Sequence, residues 1–132
     1  MTATRSGGTP VQDFEQIARM AADAIHDKKG LDVEILEVGD LLAITEAFVI
    51  ATGTSRTHVR ALADGVEEAL AEEAGRKPLR REGVDQGEWI LLDYGDVVVH
   101  LFQPTQRDYY GLERLWRDAP QITWEEPVPS EA

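Results

Sequence analysis

The side chains of this chain that could do chemistry are three histidines, a serine beside one of them, and two aspartates around a turn. His26, His58 and His100 are the candidate bases. They form no HExxH pair, and no two of them are spaced as metal ligands on one helix. Cysteine is absent, so thiolate metal sites and disulfides are excluded. Ser55 and His58 sit three apart at a helix start, as a nucleophile and its base would. No acid is placed to orient His58, and Ser55 reads more simply as a helix cap. His100, near Trp89, could act as a general base, but a histidine on a sheet face is more commonly a hydrogen-bonded packing residue.

The segment "ATGTS", residues 51–55, follows an apolar run and precedes a helix. Amides at a helix N-terminus bind anions, and nucleotidyltransferases place a Gly-Ser pair in this context. They also need acids on a neighbouring strand to hold Mg²⁺. Here the next strand is "PLRRE", which is basic, and Asp93 and Asp96 fall at a turn. Neither GxxxxGK[ST] nor GxGxxG occurs. The expectation is no catalytic residue, no metal and no cofactor. An enzyme binding a nucleotide at Gly53, Thr54 and Ser55 is the competing reading.

The elements that carry these residues follow from periodicity. "TPVQ" suits a helix start, with Thr9 as N-cap, Pro10 at the first helical position and Gln12 closing a capping box. Phe14, Ile17, Ala18, Ala21 and Ile25 continue at helical spacing, and Gly30 is free to take positive φ at the end. "LDVEILEV" and "FVIAT" read as strands, the second short and wholly apolar as a central strand would be. Val59, Leu62, Ala63, Val66, Ala69 and Leu70 form the stripe of a second helix ending at Gly75. "KPLRREG" suits an edge strand, where Pro78 and the charges discourage further pairing. "EWILLD" and "DVVVHLF" are strands joined at "YG". "TQRDYYGLERLW" is a third helix, with Thr105 and Asp108 as a capping box and Tyr109, Leu112 and Trp116 on one face. The order is α-β-β-α-β-β-β-α, an α/β fold with a mixed sheet of about five strands and flanking helices. Residues 1–8 read as a disordered arm, 9–118 as one domain, and 119–132 as a mobile, acidic, Pro-containing tail.

The whole chain, 132 residues and 42% hydrophobic, is enough for one core. No apolar run approaches 18 residues, and no signal-peptide pattern is present, so a soluble cytoplasmic protein is expected. The 25 acidic and 13 basic side chains leave a formal charge of −12. A bare phosphate backbone would repel such a chain, so little direct nucleic-acid binding is expected. A basic protein would be attracted to it.

With Tyr94 and Gly95 as the two turn residues, Trp89 would pair with His100 and Leu92 with Val97. Alternation then divides the hairpin into two faces. One holds Ile90, Leu92, Val97, Val99 and Leu101 and should pack on the long helices. The other holds Trp89, Leu91, Asp93, Asp96, Val98, His100 and Phe102. This mixture of aromatics, aliphatics and acids suits a protein interface, with helix three covering part of it.

"FVIATGTSRTHVRALADGVEEAL", then "GEWILLDYGDVVVHLF" and "YYGLERLW", resemble the Iojap family of ribosomal silencing factors, called RsfS in bacteria. The resemblance runs from about Phe14 to Asp118. Ala47 departs from it, where the family commonly has Tyr in a "TDYFVIASGTS" pattern, and the local surface near the second strand would differ. Glu46 and Thr52 are milder changes. The resemblance implies a fold related to nucleotidyltransferases but without catalytic activity. It implies binding to the large ribosomal subunit through the universal large-subunit protein numbered fourteen. That binding would block joining of the small subunit and repress translation, notably under nutrient limitation. A homodimer when free is also implied. From strand alternation, the expected contacts are Trp89, Leu91, Asp93, Tyr94, Val98, His100 and Phe102, with Tyr109 and Tyr110 from the adjoining helix.

Overall fold

The structure, a computed structural model, describes residues 13–39 and 44–126. Helix α1 spans Phe14–Asp27, and the Asp13 side chain caps it by accepting the Gln16 amide N–H at 2.9 Å. The cap is therefore Asp13, while the start expected at Thr9 and the arm 1–8 lie outside the described residues. Ile17, Ala18, Ala21, Ala22 and Ile25 form its buried stripe, as the spacing predicts. At its end Lys29, not Gly30, takes the left-handed conformation, with φ 71°. Gly30 is required for a different reason: a Cβ there would collide with the Ile25 side chain.

Strands β1 (Leu31–Glu37) and β2 (Ala47–Thr52) are followed by helix α2 (Arg56–Ala74), which ends at Gly75. Then come β3 (Arg80–Glu82), β4 (Trp89–Asp93) and β5 (Val97–Phe102). The third helix is broken at Gly111 into α3 (Pro104–Tyr110) and α4 (Leu112–Leu115). Gln103 stands at the N-cap of α3 without a side-chain bond, and Pro104 follows it, so the expected Thr105 and Asp108 box does not form. The break also turns Tyr109 outward, away from the half-buried Leu112 and Trp116 with which it was expected to share a face.

The five strands lie in the order β1-β2-β5-β4-β3. Among the described residues only the β2–β5 pair is parallel. Every residue of β2 is buried, because both faces of this central strand are covered. Ala47, Val49 and Ala51 join the cluster with α1 and α2, while Phe48 and Ile50 belong to a second cluster with Phe102 and Ala119. Ala47 is fully buried on the helix side. The departure from the family pattern thus changes the core, where a surface change was expected.

The two sheet edges are handled differently. Strand β3 is short, charged and exposed, as the sequence predicts for an edge. Edge strand β1 is covered by the chain's own C-terminal segment. The Glu37 amide donates to the Pro120 carbonyl at 2.8 Å, and the Ile122 amide to the Ile35 carbonyl at 2.9 Å. Ala119 and Ile122 are buried, and the Trp124 indole N–H donates to Asp23 at 2.8 Å. The expected limit at 118 is therefore too short: the packed domain runs through Trp124, and residues 127–132 lie outside the described set. Its acidic, Pro-containing composition concealed two apolar anchors.

Candidate partner-binding face

The β4–β5 hairpin turns on Gly95 and Asp96, because Tyr94 N–H bonds the Val97 carbonyl at 2.9 Å. Gly95 has φ 90°, which a side chain would resist. Trp89 consequently pairs with Phe102, Leu91 with His100 and Leu92 with Val99. The expected register was off by two residues. A shift of two preserves which side chains share a face, since alternation has period two.

The division into faces holds. Ile90, Leu92, Val97, Val99 and Leu101 are fully buried beneath the helices. Tyr94 is the exception among the expected contacts. It is the last strand position before the turn, so it continues the Ile90–Leu92 side and enters the core at 3% exposure. It does not lie on the face opposite the helices. Burial, then the charge of Glu67, pushes its hydroxyl up to about 12.

On the opposite face an aromatic stack forms. Phe102 is fully buried at its base, and the half-buried Trp89 stacks on it with centroids 5.0 Å apart and planes 27° apart. Tyr110 lies 4.6 Å from Trp89, and Tyr109 meets Tyr110 edge-on at 5.0 Å. Tyr109 is 78% exposed and Tyr110 47%. Two aromatic rings thus stand in water where α3 leaves the sheet, anchored by a third. The adjoining region of the face is covered from within: Trp116 packs edge-on against Phe48, with Leu112 and Ala119 nearby.

His100 is buried beside this stack. Its Nδ1 accepts the Trp89 indole N–H at 3.2 Å, so the ring proton resides on Nε2. Burial pushes its pKa down to about 4, with Asp93 pulling weakly upward. A base held that low is a packing residue at neutral pH. Because the folded value lies below the ordinary 6.5, the neutral ring's contribution to stability is complete above pH 6.5 and is lost as pH falls toward 4. The slope is about 1.4 kcal/mol per pH unit. Between pH 6.5 and 5 the wild type should therefore lose about 1.5 kcal/mol more than His100→Gln, because the unfolded ring is already half protonated at 6.5. Denaturant titrations of both proteins at the two pH values measure this, and equal losses would show that the histidine is not held neutral.

Leu91 and Val98 are half-buried on the same face. With Phe48, His100, Ile44 and Thr45 they line a depression of about 200 Å³, rimmed by Arg80 and Asp93. Asp93 accepts from the Gly95 amide at 2.8 Å and from Arg80 at 3.2 Å. Asp96 is held by Arg76 at 2.7 Å. Each aspartate thus fixes the turn and has its own arginine. Ile44 and Thr45 were missed because "LLAITEA" carries no periodicity to show which way a side chain points.

The "ATGTS" segment is occupied by internal bonds. Ser55 caps α2, accepting from the His58 amide at 3.1 Å. His58 Nδ1 takes the Thr54 amide N–H at 2.9 Å, and its Nε2 donates to the Lys28 carbonyl at 2.8 Å. The histidine therefore joins the start of α2 to the end of α1, and neither ring nitrogen is left to activate Ser55. The Thr54 amide that would face an anion is already used. Among the described residues no group of three His, Asp or Glu gathers as metal ligands.

Known proteins are similar to this chain in sequence and in fold. The family model described as "Ribosomal silencing factor during starvation" (RsfS) matches residues 11–132. The Chromobacterium violaceum ribosomal silencing factor RsfS is 41% identical over 104 residues, covering 79% of this chain and 84% of that one. A mouse protein, "Mitochondrial assembly of ribosomal large subunit protein 1", is 29% identical over 74% of this chain and 43% of its own length. A crystal structure of a Chromobacterium violaceum protein superposes with a TM-score of 0.77 at 36% identity, covering 92% of this chain and 95% of that one. With its sequence matched nearly end to end and its fold shared with a solved structure, the chain belongs to the RsfS family of ribosomal silencing factors.

Proposed function

We propose that this chain silences translation by occupancy: it binds the large ribosomal subunit through the Trp89 face and blocks joining of the small subunit. The observation that carries this reading is the exposed aromatic platform of Trp89, Tyr109 and Tyr110 on the sheet face opposite the long helices. Aromatic anchors ringed by polar groups are what concentrate binding energy at protein interfaces. The −12 charge suits a basic protein as the direct contact, and the proposed one is the universal large-subunit protein fourteen. Leu91, Asp93, Val98 and His100 extend the contact, with Phe102 supporting Trp89 from below. The free protein is proposed to be a homodimer, which light scattering reads. No helix among the described residues is long and apolar enough to cross a membrane, and the proposed place of action is the cytoplasm, where subunits meet.

No catalytic step belongs to this mechanism. The Thr54 amide and both His58 nitrogens are engaged internally, which weighs against nucleotide chemistry at Gly53, Thr54 and Ser55. The test is co-sedimentation with purified large subunits, then addition of small subunits. Protein stripped of nucleotide and metal, with Mg²⁺ restored for the ribosomes, should pellet with large subunits and reduce joining to the same extent as untreated protein. A strict requirement for added nucleotide, or failure to pellet at low salt, would remove the occupancy reading.

A further inference from the structure

The depression beside the aromatic platform contains two buried polar groups that nothing in the described residues satisfies. Thr45 is 6% exposed and His100 5% exposed, and both line the depression. Among the described residues, Thr45 Oγ1 and His100 Nε2 each lack a hydrogen-bond partner. Because His100 Nδ1 accepts the Trp89 indole N–H, Nε2 carries the ring proton and is a donor. The threonine hydroxyl can donate as well. Buried polar groups are nearly always paired, so an unpaired one calls for an explanation.

The rest of the lining narrows what could pair with them. Phe48, Leu91 and Val98 make the floor apolar. At the rim, Arg80 and Asp93 neutralise one another at 3.2 Å. Ile44, 81% exposed, stands beside the opening as uncovered apolar surface. A carboxylate would enter against Asp93 and a chain of charge −12. A lysine or arginine head would bring donors to donors. A neutral acceptor next to aliphatic surface meets every requirement, and a peptide main chain supplies both: a carbonyl with two lone pairs and a side chain beside it.

We propose that this depression is a subsite for one extended loop of the protein partner, whose main-chain carbonyl accepts from His100 Nε2–H and Thr45 Oγ1–H while an aliphatic side chain lies on Phe48, Leu91 and Val98. The proposal rests on the occupancy reading above and adds the chemistry that the partner must present here, which is polar but uncharged. It also separates two zones of one face, the platform gripping by aromatic area and the depression reading a backbone.

The test uses the full chain and purified large subunits, with thermal melts on the same samples. Thr45→Val keeps the shape and removes the hydroxyl. It should melt at or above the wild-type temperature, since it deletes an unpaired buried group, yet bind about tenfold more weakly, the loss of one hydrogen bond. Thr45→Ser, which keeps a hydroxyl, should bind within about threefold of wild type. At the histidine, Gln retains a distal N–H and Asn does not, so His100→Gln should bind better than His100→Asn. That pair decides the matter if Thr45→Val fails to fold. Wild-type affinity in a folded Thr45→Val would overturn the proposal alone. Wild type that does not bind large subunits would overturn it together with the reading beneath it. A loss confined to self-association would assign the depression to a second copy of this chain and overturn the loop partner.

Discussion

Trp89→Ala should weaken binding to the large ribosomal subunit by roughly 30- to 1000-fold, about 2–4 kcal/mol, while the protein remains folded. Trp89 stacks on Phe102, touches Tyr110 and donates to His100, so its removal collapses the platform as well as deleting a contact. Some stability goes with it, about 1–2 kcal/mol for a half-buried ring. Leu92→Ala is the contrast. It points to the helices at 0% exposure and should cost about 3 kcal/mol of stability through the cavity it leaves, with binding by the folded fraction unchanged. Sedimentation and denaturant melts on the same preparations separate the two. If Trp89→Ala binds normally, or Leu92→Ala stays stable and cannot bind, the partner face has been placed on the wrong side of the sheet.

Truncation after Asp118 should be severely destabilising, on the order of 4 kcal/mol, which lowers the melting temperature by roughly 20 °C. The deletion removes Ala119 and Ile122 from the core, and Trp124 from its bond to Asp23. It also strips two backbone hydrogen bonds from β1, exposing that edge to other chains. A milder truncation after Glu126 leaves all of these in place and should melt within about 2 °C of the full chain, well under 1 kcal/mol. A melting curve for the Asp118 truncation indistinguishable from the full chain would mean that the C-terminal segment adds no stability where it lies.

The element order was legible because the helices repeat their apolar residues at 3.6 and the strands alternate at two, and both signals are local. The hairpin faces were legible for the same reason, and they survived a wrong register because Trp89 moves from His100 to Phe102 without changing sides. Tyr94 was not legible. Its assignment depends on which two residues form the turn, and Gly95 fits either the first or the second loop position by composition. Thr45 and Ile44 were hidden because the connection before β2 is aperiodic, and only the folded sheet brings them to His100. Residues 119–124 were hidden because two anchors among charged and small residues do not alter the composition of a tail. The expected cap at Thr9 and box at Thr105 were reasonable local signals. At α3 the signal lost to Pro104, which pre-sets the first turn and leaves Gln103 before it.

The sheet order also bears on how the chain reaches this state. Central strand β2 lies between β1 and β5, and its parallel partner begins fifty positions later, Ala47 beside Val97 (97 − 47 = 50). The edge beyond β1 closes only when residues 120–122 arrive. The chain must therefore be available through Phe102 before its most buried strand has both neighbours, and through Ile122 before the outer edge of β1 is covered. Loop-closure entropy must be met before those distant contacts repay it, which makes folding slow for a domain this small. A chain that has not yet supplied residues 97–102 and 120–122 has no finished sheet, and the backbone edges of β2 and β1 stay open to other chains until those segments arrive.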